Sequence, residues 1–116
     1  MLKEPKVITV LGTDIQILFR KKKDDPKLES CVGYFDFSNR LIVVVIPESD
    51  ATSCGDLERY QKEILRHEVI HAFLYESGLD GSSAFAGSWA TNEEMVDWIA
   101  IQFPKILKVF QELGVV

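Results

Sequence analysis

The chain has 116 residues, 47% of them hydrophobic and 27% charged, the balance of one ordinary folded domain rather than of a disordered polar chain. Its net charge of −5 and pI near 5.0 argue against a nucleic-acid partner, because neutralising phosphates takes a positive face. A chain of this size buries roughly two-thirds of the surface its unfolded form exposes, so a metal, if one is held, serves chemistry rather than folding.

No segment is apolar for long enough to span a bilayer, and the opening residues, with charges at Lys3, Glu4 and Lys6, do not read as a signal peptide. A cytoplasmic protein with no membrane partner is expected. Cys31 and Cys54 form no CxxC pair, which suits free thiols in a reducing compartment, although a bridge between them stays open.

Residues 7–11 and 15–19 read as two strands around Gly12-Thr13, a Gly-X pair suited to a II′ hairpin turn. Residues 21–30 are polar, carry Pro26 and read as a connecting loop. The basic cluster from Arg20 to Lys23 reads as the solvated end of a strand. A second strand pair, residues 32–37 and 41–46, turns through Ser38-Asn39-Arg40. The run Leu-Ile-Val-Val-Val-Ile at 41–46 is apolar without alternation, so it should be covered on both faces, and Pro47 ends it.

From Asp56 to Ser77 apolar residues recur every three or four positions, and Gly78 is placed to stop the helix. Its second half is nearly apolar all round and should be buried. Residues 79–90 are rich in Gly, Ser and Ala and read as a loop. A last helix is expected from Thr91 or Asn92 to about Leu113, with Met95, Val96, Ile99, Ala100, Phe103, Leu107 and Phe110 as its inward stripe. Pro104 should kink or restart it. There is no internal repeat and no sign of a domain boundary, so residues 1–116 are read as one α+β domain: antiparallel or mixed strands, then two helices.

The informative string is His67-Glu68-Val69-Ile70-His71, a HExxH inside a helical pattern. Residues four apart on a helix differ by about 40° in direction, so both imidazoles can converge on one ion while Glu68 lies beside that face. Two neutral imidazoles suit zinc, and a catalytic zinc keeps a position for water whose pKa falls to about 7. Glu68 is then the general base that activates the metal-bound water for attack on a peptide bond. The plainer reading, two hydrogen-bonded core histidines, has to explain why the only histidines of the chain stand together in a buried helix.

With no third histidine, the remaining protein ligand must be a carboxylate or a thiol. Thr91 and Glu94 match the capping box S/T-x-x-E/Q, which occupies Glu94 locally and leaves Glu93 as the preferred ligand. Glu94, Asp80 and Cys54 remain alternatives. Asp97, four residues after Glu93, shares its face and is placed to accept the other N–H of a ligating imidazole. A surface charge at Asp97, and helix-end stabilisation by Glu93, are the plainer readings of those two residues.

His67-Glu68-x-x-His71, followed by Asn92-Glu93-x-x-x-Asp97, resembles the gluzincin pattern. The strands-then-two-helices layout is similar to the minimal members of that group, the ImmA/IrrE-like and phage-encoded metallopeptidases, in which a short motif before an Ile/Phe-Ala pair, here Ile99-Ala100, carries the third ligand. The resemblance covers roughly residues 34–104. It implies a small zincin-like fold, zinc at His67, His71 and Glu93, base action by Glu68 and support from Asp97. Larger gluzincins add a His or Tyr that stabilises the oxyanion; Tyr75 is the candidate here and Tyr34 the alternative, each also readable as packing. In zincins a strand edge near the site pairs with extended substrate, a part open to the run at 41–46 beside its plainer role as a core strand. The expected partner is a peptide or protein substrate. A rival is a non-catalytic zinc-binding regulatory or interaction module of phage or mobile-element origin. A zinc hydrolase acting on a non-peptide substrate is a third reading. The sequence leaves the oligomeric state open.

Overall fold

The computed structural model describes residues 1–49, 55–79 and 91–116. It is a small α+β domain: β1 (Lys6–Val10), β2 (Thr13–Arg20), β3 (Gly33–Asp36) and β4 (Leu41–Val45) form a four-stranded mixed sheet, followed by α1 (Leu57–Glu76) and α2 (Glu93–Glu112). The strand order is β1-β2-β4-β3, with β2 and β4 parallel and the other two pairs antiparallel. No described helix is long and apolar enough to cross a membrane.

The β1–β2 turn is Leu11-Gly12, not Gly12-Thr13, and both residues are left-handed (φ 48° and 87°). That is the signature of a I′ turn rather than the II′ turn expected, and its twist matches that of the flanking strands. Asp36 organises the second hairpin, accepting from Ser38 N, Ser38 Oγ and Asn39 Nδ2 at 3.1, 2.7 and 2.8 Å. The Ser38 and Asn39 bonds hold its carboxyl down at about 2.

β4 lies inside the sheet, and Ile42, Val43, Val44 and Val45 are all buried. Partners across a ladder share a face, so Ile15, Ile17, Phe19, Ile42 and Val44 form one side with Gly33 and Phe35. That side meets α1: a Cβ built on Gly33 would lie 2.8 Å from Ile64 Cγ2, 3.1 Å from Val43 O and 3.4 Å from Glu68 Cγ. Only glycine admits the helix so close.

The opposite side is covered by the segment read as a plain loop. It coils into two 3₁₀ turns, Lys22–Asp24 and Pro26–Glu29, and buries Leu28 and Asp25. Asp25 accepts from Arg20 Nη1 at 3.0 Å, from Lys27 N at 3.0 Å and from the Tyr34 hydroxyl. The Tyr34 bond, ahead of the two others, outweighs the burial that opposes it and holds the Asp25 carboxyl below its ordinary range. Arg20 is therefore a partner of a buried acid rather than part of a solvated strand end.

α1 is capped by Asp56, which accepts from Arg59 N at 3.0 Å, and ends before Gly78 at φ 82°. Its burial follows one stripe, Gln61, Ile64, Glu68 and Ala72, rather than enclosing its second half. Phe73, outside that stripe, is 44% exposed. Gln61, absent from the sequence reading, is fully buried and bonds to Leu2 N, Leu2 O and Val45 O at 2.7, 2.8 and 3.1 Å. It ties the start of the chain and the end of β4 to the helix.

The N-cap of α2 is Asn92, which accepts from Met95 N at 2.8 Å. Asn92, rather than Thr91, is thus the cap residue of this helix. The helix runs unbroken through Pro104. Its inward stripe is shorter than expected: Val96 and Ala100 are buried, but Phe103 and Phe110 stand 47% and 45% exposed. The main described contact of α2 is α1, and its buried positions stop at Ala100. Residues 80–90, with Asp80, and Cys54 lie outside the described residues; Cys31 is a free thiol.

Candidate metal centre

α1 places His67 and His71 one turn apart, their ring centroids separated by 4.8 Å. Their Nε2 atoms are 3.1 Å apart. The first turn of α2 brings Glu93 across both: Oε2 is 3.0 Å from His67 Nε2 and Oε1 is 2.8 Å from His71 Nε2. Asp97, one turn further, lies with Oδ1 2.6 Å from His67 Nδ1. An ionised carboxylate can only accept, so Nδ1 carries the proton and Nε2 is turned toward the cluster.

One ligand atom from each of His67, His71 and Glu93 lies within 4.8 Å of the other two. Tetrahedral ligand atoms about 2 Å from a zinc ion stand roughly 3.3 Å apart, close to the separations here. With its proton on Nδ1, His67 Nε2 points a lone pair at a carboxylate oxygen. That contact becomes attractive only with a positive charge there, either an ion between the two atoms or a second proton on the ring. The donor set therefore fits a divalent ion held by nitrogen and oxygen.

Glu68 faces the strand side of the same cluster. It is only 5% exposed, has no hydrogen-bond partner among the described residues, and keeps Oε1 3.9 Å from His67 Nε2. Burial is the main reason its carboxyl is pushed up to about 7, opposed by His67 and reinforced by the charges of Glu93 and Asp97. A buried carboxyl raised toward neutrality beside two imidazoles has the protonation range a general base needs.

Compared with known proteins, the chain matches no family model, no curated protein and no solved structure. The reading of the site therefore stands on its own geometry.

Glu94, the alternative ligand, is exposed in the first turn of α2 and is not part of the three-residue cluster. Tyr75 lines the same cavity as His71, Glu68 and Glu93, and its ring packs against Phe35 and Phe37 at 5.8 and 5.0 Å. Tyr34 also borders that cavity, but its hydroxyl is committed to Asp25 and is pushed up to about 12, chiefly by burial. It is a poor donor to an oxyanion.

Two parts of the site were missed in the sequence. Gly33 lets α1 approach the sheet, and Arg66 joins the two helices by donating from Nε to Ala100 O at 2.6 Å. A glycine opening a strand and an arginine inside the HExxH helix were the available signals; neither names its partner.

Proposed function

We propose that the chain is a zinc-dependent peptidase with a minimal zincin-like, gluzincin-type site, resembling the ImmA/IrrE-like and phage-encoded metallopeptidases. The observation that carries this is the meeting of His67 Nε2, His71 Nε2 and the Glu93 carboxylate in front of a buried Glu68. His67, His71 and Glu93 would hold the metal. When bound, zinc supplies Lewis acidity that polarises the scissile carbonyl and makes water easier to deprotonate.

The remaining work belongs to the side chains. Glu68, buried beside the two imidazoles, would take a proton from the attacking water and deliver it to the leaving nitrogen. Asp97 keeps the His67 proton on Nδ1 and fixes the direction of the ring. Tyr75 borders the cavity and is the nearest candidate to hydrogen-bond a developing oxyanion.

The run at 41–46 cannot pair with substrate, since β4 is bonded on both sides. β3 is the edge strand beside the site. Val45 N bonds to Val32 O at 2.9 Å, so alternation assigns Tyr34 and Asp36 to the bonded positions and leaves the main-chain groups of Gly33 and Phe35 facing outward. An extended peptide would add there by strand pairing.

The test joins metal analysis to cleavage. Wild-type protein should bind one equivalent of zinc and cut members of a peptide library, while Glu68→Gln should bind zinc equally and cut none. Undiminished cleavage by that variant removes Glu68 from the mechanism. Stoichiometric zinc with no cleavage of any peptide or protein would instead fit a non-catalytic metal-binding module.

A further inference from the structure

Two cavities flank Glu68 and share Cys31, Gly33 and Glu93. The first, about 430 Å³, adds Phe35, Phe37 and Tyr75. Tyr75 holds Phe37 in a near-parallel stack (28°) and meets Phe35 edge-on (70°), so the wall is formed in advance. Phe37 nevertheless stays 57% exposed. An aromatic wall of this kind favours a flat apolar side chain, by area and by ring geometry.

The second cavity, about 440 Å³, adds Glu63, Asp97, Tyr60 and Val32, and no Lys or Arg is among its described lining residues. Asp97 spends one oxygen on His67, which leaves Oδ2 directed elsewhere. The pair of carboxylates beside an aromatic ring suits a guanidinium or ammonium group, with Tyr60 and Val32 receiving its aliphatic stem. Glu68, buried and without a hydrogen bond among the described residues, faces both cavities.

Val32 borders the acidic cavity and Phe35 the aromatic one. They are three residues apart, about 10 Å along a strand. A peptide extended on the β3 edge therefore reaches both cavities with side chains on opposite sides of the bond nearest Glu68. We propose that the cleft is bipartite, taking peptides with a basic side chain on one side of the scissile bond and an aromatic side chain on the other. This rests on the peptidase reading, which supplies the bond between them.

The experiment measures binding separately from cleavage. Fluorescent peptides carrying Arg and Phe, Glu and Phe, Arg and Asp, or Ala and Ala at two positions three residues apart across the central bond, in both orders, are titrated into zinc-supplied full-length Glu68→Gln protein. One order of Arg with Phe should bind about tenfold tighter than its Glu/Phe and Arg/Asp counterparts. Adding Glu63→Gln should shrink the preference for Arg and leave that for Phe, and adding Phe37→Ala should do the reverse. Circular dichroism confirms that both variants fold.

Equal binding of all peptides, no binding at millimolar concentration, or preferences untouched by both substitutions would overturn the bipartite cleft. The peptidase reading fails separately. Selective binding by Glu68→Gln without cleavage by the wild type leaves the specificity standing and removes the activity, whereas cleavage without side-chain preference does the opposite.

Discussion

Arg66 supplies the hydrogen bond that Pro104 cannot. In a continuous helix the Ala100 carbonyl would accept from the N–H of residue 104, but proline has none. Arg66 Nε reaches that carbonyl from α1 at 2.6 Å. The contact completes the helix where proline would interrupt it and docks α2, with Glu93 two turns and Asp97 one turn before Ala100, onto the helix that carries the histidines.

Arg66→Met should therefore cost about 1–3 kcal/mol of stability, the range for leaving a buried acceptor unpaired, and should weaken zinc binding by loosening the Glu93 approach. Pro104→Ala restores the missing N–H, so the double variant should recover much of the loss. Denaturant midpoints and zinc affinities of the four proteins form a double-mutant cycle; additive effects would show that the two residues are not coupled.

Asp97 holds His67 Nδ1 at 2.6 Å, so on the proposed reading it would act on the metal through that ring. Asp97→Ala should lower zinc affinity about 10–100-fold, the usual cost of losing such a partner, while the apo protein keeps its fold. Competition with a chromophoric chelator measures the affinity, and no change would reduce Asp97 to a surface charge.

Glu93 and Glu94 are adjacent but unequal. Glu93→Ala should abolish stoichiometric zinc, and Glu94→Ala should retain it, because only Glu93 faces both Nε2 atoms. Elemental analysis of the two purified variants decides between them.

Gly33→Ala forces a methyl to within 2.8 Å of Ile64 Cγ2 and 3.1 Å of a backbone oxygen. Overpacking of this kind typically costs about 1–3 kcal/mol. Thermal unfolding should show the loss, and activity should fall with it because α1 must lift and carry Glu68 away from the strand edge.

Acid should weaken the hydrogen bonds that Asp25 accepts from Arg20, Lys27 and Tyr34. The Asp25 carboxyl lies below its ordinary value in the folded chain, so its contribution is complete above the unfolded pKa of about 3.9 and is lost as pH falls through the lower folded value. Stability measured by denaturant from pH 6 down to pH 2 should decline in wild type, and the part of that decline due to this group should vanish in Asp25→Asn.

How far the sequence could be read depends on how local each feature is. The meeting of His67 and His71 follows from helix geometry alone, since a four-residue step nearly completes a turn. The strand pairs and the stop at Gly78 were legible for the same reason. The II′ assignment failed because the turn slid by one residue, which the apolar Leu11 concealed. The cap fell on Asn92 rather than Thr91 because both are good caps, and only the helix's true start distinguishes them.

The amino-acid sequence by itself determined that two imidazoles and a carboxylate share one helical neighbourhood. Tertiary structure alone decided which acid completes the set, because Glu93 reaches the histidines only after α2 docks through Arg66 and Ala100. It also decided the burial of Glu68 and Asp25. Both depend on Gly33 and on a 3₁₀ segment packing across the sheet, contacts between residues distant in sequence that no local pattern encodes.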